Sequence, residues 1–87
     1  MKIILAVIRD SDEARVVEQL VNLGIRVTRM ASTGGFLHRG NVTLMTGVEE
    51  EKLQTVMDLI QETCTTAEGF ENRAVLFVLN AIDFYKV

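Results

Sequence analysis

Within the sixteen positions from 26 to 41 stand Arg26, Thr28, Gly34, Gly35, Phe36 and Asn41, residue types suited to holding a compact anion joined to a flat ring. A guanidinium grips a phosphate at two points, and a threonine hydroxyl adds a donor. Arg26 and Thr28 are two residues apart, so on a strand they project from the same face. Gly34 and Gly35 let the backbone approach a ligand and offer free N–H groups to an anion. Phe36 is an apolar plate for a purine, and stacking on an aromatic is worth roughly 1–3 kcal/mol per base. Asn41 offers an amide that can read a base edge. Further on, Gly47 carries no side chain and leaves its backbone open to close approach. Each residue also has a plainer use. A Gly-Gly pair alone reads first as a hairpin turn, and Phe36 can pack under a loop. The conjunction favours binding, not any one member.

The charge distribution supports that conjunction. The chain carries a net charge of −3, which argues against a general nucleic-acid coat. Its twelve acids fall within residues 10–18 and 49–83, leaving residues 19–48 with Arg26, Arg29, Arg39 and His38 and no acid. A local positive field in an acidic chain suits one compact anion better than a long polyanion. Arg29 and Arg39 read as solubilising charge, and His38 as solvent-exposed. Catalysis lacks its parts: His38 is the only histidine, Cys64 falls on an apolar stripe, and no Ser, His and Asp arrangement or carboxylate pair stands out. We therefore expect no enzyme, no catalytic residues and no cofactor. A lone cysteine provides neither an internal disulfide nor a multi-cysteine metal site, and the cytoplasm is the default compartment. The Glu49–Glu51 run reads as a helix start rather than a metal site.

The elements that must position these residues follow from periodicity. Residues 2–9, KIILAVIR, are apolar on both strand faces and predict a central strand, not a signal peptide. Asp10 with Glu13 three residues later has the spacing of a capping box. Ala14, Val17, Leu20 and Val21 give the first helical stripe, and Gly24 a stop. Residues 25–32 predict a second strand, with Ile25 and Val27 on one face and Arg26 and Thr28 on the other. Residues 41–48 predict a third, with Val42, Leu44 and Val48 together. Leu53, Val56, Met57, Ile60 and Cys64 form the second helical stripe, where Cys64 is inert core. Met30, Met45 and Met57 read as packing residues. Residues 74–79, AVLFVL, predict the last strand.

The order is βαββαβ, an α+β ferredoxin-like domain spanning residues 1–87 with an antiparallel sheet. Right-handed crossovers place both helices on one sheet face. The first and last strands are apolar on the other face too. At roughly 1.5–3 kcal/mol for each buried side chain, that surface is expected to pack against further subunits. No apolar run approaches the roughly 20 residues of a membrane helix.

Residues 31–48, ASTGGFLHRGNVTLMTGV, resemble the PII-like cyclic di-AMP receptors. The likeness runs from the first strand through Gln61-Glu62-Thr63-Cys64, with TGGF-L-x-x-GN at residues 33–41, and resumes at residues 74–78, AVLFV. It implies a homotrimer with ligand sites at subunit clefts, signal transduction by binding, and cyclic di-AMP or another adenine nucleotide as ligand, with an unidentified downstream protein as recipient. By resemblance the nucleotide site takes Arg26, Thr28, Gly35, Phe36, Leu37, Asn41, Gly47 and Phe77. The chain departs from the family pattern at three places. Only nine residues separate Cys64 from Ala74, where relatives carry a long loop. Gly24 stands where a polar residue is common, and Lys86 where a glutamine is common. The lysine favours phosphate over a base edge.

Other functions fit less well. An acylphosphatase-like enzyme would need a phosphate loop after the first strand, where this chain has acidic, glycine-free Arg9-Asp10-Ser11-Asp12. An RNA-recognition sheet would show aromatics on the third strand, which has none. A metal-carrying domain would need Cys-x-x-Cys. Two alternatives stay open: a small-molecule-binding regulatory domain, and a trimeric interaction module without ligand.

Overall fold

A computed structural model describes residues 1–30, 40–64 and 74–82. The chain runs β1 (Lys2–Arg9), α1 (Glu13–Asn22), β2 (Val27–Met30), β3 (Asn41–Val48), α2 (Leu53–Thr63) and β4 (Ala74–Asn80). A single 3-10 turn precedes each helix, over Asp10–Asp12 and Glu50–Lys52. The strands form one sheet in the order β2-β3-β1-β4. All three pairings are antiparallel, with β1 flanked by β3 and β4. This is the ferredoxin-like α+β arrangement.

Strand alternation divides the side chains as expected. Ile4, Ala6 and Ile8 of β1 and Val42, Leu44 and Val48 of β3 face the helices. They bury there against Val16 and Leu20 of α1 and Val56, Ile60 and Cys64 at α2. Ile25 and Val27 pack on the edge of this core, so both helices cover one face. On the opposite face three transverse rows follow from the register: Leu79, Ile3 and Gly47; Phe77, Leu5, Met45 and Thr28; Val75, Val7, Thr43 and Met30. Val7 and Thr43 are buried, but Val75, Phe77 and Leu79 are 43%, 40% and 48% exposed. The Thr43 hydroxyl is buried and has no hydrogen-bond partner among the described residues.

Two expectations about α1 need correction. No side chain caps its first turn, so the Asp10–Glu13 capping box does not form. The Glu13 carboxylate is instead 2.8 Å from Arg29 Nε, and the Asp10 N–H donates to the Gly40 carbonyl at 2.8 Å. The acid that organises this junction is Asp12, fully buried between Arg15 and Arg9. The buried stripe is Val16 and Leu20 with Val17 beside them, while Ala14 and Val21 are exposed. At the other end Gly24 behaves as expected. At φ +77° it lies in the left-handed region. Its N–H donates to the Val21 carbonyl at 2.9 Å, and that of Ile25 to the Leu20 carbonyl at 3.0 Å. These are the two bonds of a Schellman end.

Candidate functional site

The reversal after α1 delivers the chain into β2 with Arg26 and Thr28 leaning away from the helices. Thr46 fixes this entry, since its hydroxyl donates to the Arg26 carbonyl at 2.7 Å. The Arg26 side chain is exposed and makes no ion pair among the described residues. Across the β2–β3 ladder, Thr28 pairs with Met45. Next along β3 on the same face is Gly47, opposite Ile3.

These residues border a cavity of about 480 Å³ at the end of the sheet. Arg26, Thr28 and Gly47 of the expected site all line it. So do residues that the sequence reading left out of the site: Met1, Ile3, Met45, Glu49 and Lys52. Gly24, read as a helix stop and a departure from the family pattern, also borders it. The lining mixes an apolar floor with two cations and one carboxylate. It can hold an anionic group near Arg26 and Lys52, and a flat apolar group on Ile3, Met45 and the bare backbone of Gly47. Met45, read as a packing residue, thus has one side on this cavity.

The remaining expected residues are dispersed. Asn41 pairs with Arg9 at the opposite end of β3 from Gly47, six residues away. At strand rise that separation is about 20 Å. Phe77 shares the sheet face and the transverse row of Thr28, with Leu5 and Met45 between them. Three strand spacings separate the two, about 14 Å. Within one copy the set therefore does not converge on a single point. Gly35, Phe36 and Leu37, with His38 and Arg39, lie outside the described residues, as do residues 65–73 and Lys86. Arg29 does not join the site: it sits on the helix face and holds Glu13. None of the described helices is long and apolar enough to cross a membrane.

A crystal structure of a functionally unknown protein from Pediococcus pentosaceus ATCC 25745 is similar in fold. It superposes with a TM-score of 0.81 at 30% identity, covering 99% of this chain and 96% of that one. A family model described as cyclic-di-AMP receptor matches residues 1–87. The chain belongs to the cyclic-di-AMP receptor family.

Proposed function

We propose that the protein is a nucleotide sensor acting by binding rather than catalysis. It would be a single PII-like domain over residues 1–87 that assembles as a homotrimer. Cyclic di-AMP, or a related adenine nucleotide, binds at the clefts between copies. The contacts come from Arg26, Thr28, Gly35, Phe36, Leu37, Asn41, Gly47 and Phe77. The observation that carries this reading is the cavity that gathers Arg26, Thr28 and Gly47 beside a sheet face that none of the described helices covers. Its cations suit a phosphodiester, and its glycine-bared floor suits a base.

The dispersal of Asn41 and Phe77 supports a site built from two copies. A ligand seated at the Gly47 end of one chain meets residues about 14–20 Å away only if a neighbouring copy presents its own. The exposed apolar residues of β4 supply a reason for the copies to meet, because apolar area of this kind is costly in water. The same reading places the protein in the cytoplasm, passing its signal to a downstream protein.

Titration calorimetry with cyclic di-AMP, ATP and AMP tests the proposal. Saturable heat with cyclic di-AMP at one site per chain is the expected result. A well-folded trimer that gives heat with none of the three would instead be an interaction module without ligand.

A further inference from the structure

We propose that the Met1 side chain occupies the nucleotide cavity of the free protein and is displaced when a ligand ring enters. The inference rests on reading this cavity as the nucleotide site. A Cβ placed on Gly47 would lie 3.1 Å from Met1 Sδ and 3.9 Å from both Met1 Cγ and Cε, and its three nearest atoms all belong to Met1. The thioether thus stands on the patch of backbone that the missing side chain leaves open. That patch is also where a flat ring would rest. The absence of a Cβ at this position has two competing beneficiaries, one from inside the chain and one from outside.

The geometry suits a removable occupant. Met1 is 48% exposed, so only part of its surface is held by the cavity. An unbranched side chain with three rotatable bonds swings aside without moving its backbone. That backbone is tethered, because the Ala81 N–H donates to the Met1 carbonyl at 3.0 Å. The side chain can leave while the residue stays, joined to the end of β4. Filling its own pocket lowers the fraction of protein competent to bind, which weakens apparent affinity by that fraction. A ligand must then offer a ring that covers Gly47 better than the thioether does. Fragments with phosphate but no base gain nothing from this exchange, so Met1 acts as a specificity-determining residue.

The test uses a chain extended at its N-terminus by Met-Gly, with Met1 retained or changed Met1→Ala. Cyclic di-AMP should bind the alanine chain about three- to tenfold more tightly, as expected if the thioether fills the cavity about two-thirds to nine-tenths of the time. Binding by the alanine chain alone supports the inference most directly. Equal or weaker binding by the alanine chain overturns it and leaves the nucleotide reading standing. No binding by either chain sinks both. Methyl-labelled methionine NMR gives a ligand-free check. The chain has four methionines, of which Met1 and Met45 line the cavity and Met57 packs on the core at α2. Gly47→Ala should shift the Met1 methyl signal in the free protein, because the new methyl takes the thioether's place, while Met57 stays put. An unmoved Met1 signal overturns the seating itself.

Discussion

Arg26, just before β2, and Arg29 within it stand three positions apart in the acid-free stretch, and the alternation of extended chain sends them to opposite sides of the sheet. Arg29 reaches Glu13 of α1 across an exposed surface, a pairing worth at most about 1 kcal/mol. Arg26 borders the cavity with its backbone fixed by Thr46. Their substitutions should therefore part company. Arg26→Ala should weaken cyclic di-AMP binding by about 1.5–3 kcal/mol, the value of a hydrogen bond to a charged group. Its melting temperature should hardly move, because the side chain is exposed in one copy. Arg29→Ala should leave affinity within roughly twofold and cost at most about 1 kcal/mol of stability. Calorimetry with thermal denaturation on the two variants decides the matter. Equal losses of affinity would mean that the arginines act only through the general field of the basic stretch. Phe36→Ala is expected to remove about 1–3 kcal/mol of binding while leaving the fold intact, as loss of one stacking plate does.

At the scale of elements, the turn from α1 into β2 sets where Arg26 points, and Gly24 makes that turn possible. Its φ of +77° costs an L-residue roughly 1–2 kcal/mol, and open space surrounds the position, so backbone strain alone decides the outcome. Gly24→Ala should lower the unfolding free energy by that amount, seen as a lower urea midpoint at unchanged m-value, and Gly24→Asn should lower it less. A midpoint that stays in place would show that the helix ends by other means. The glycine was legible because a stop signal followed an apolar stripe. The ends of β1 and β3 were legible too, since one is a continuous apolar run and the other an alternating strand, each bounded by charge or turn residues. The stripe of α1 was not. Ala14, Val16, Val17, Leu20 and Val21 surround much of its circumference, so periodicity could not select the buried side. Packing against β1 and α2 selected Val16. Asp12 escaped notice because nothing in its spacing distinguishes a buried acid from the exposed Asp10 beside it. Of the site, Arg26 with Thr28 was readable from the two-residue period of a strand. Met1, Glu49 and Lys52 were not, since only the β1–β3 register and the turn into α2 bring them to the same cavity.

At the scale of the molecule, the proposed site requires copies to meet, and β4 offers a way to ask whether they do. Leu79 pairs with Ile3 on the face away from the helices and is nearly half exposed in a single copy. A lysine there would find water in an isolated chain, where its long stem can lie along the sheet while its ammonium stays solvated. The protomer should tolerate it. A trimer that buries this face should not, because a charge enclosed without a partner is costly by several kcal/mol. Leu79→Lys is therefore expected to run as a folded monomer at micromolar concentration by light scattering, with the circular dichroism of the parent chain. Cyclic di-AMP affinity should fall with it by at least about 100-fold, since half of each cleft departs with the neighbour, a loss of about 2.7 kcal/mol. The two readouts separate the possibilities. A Leu79→Lys trimer would mean that the copies join through some other surface. A Leu79→Lys monomer with full affinity would mean that Arg26, Thr28 and Gly47 bind within one chain, and that the distant Asn41 and Phe77 serve something else.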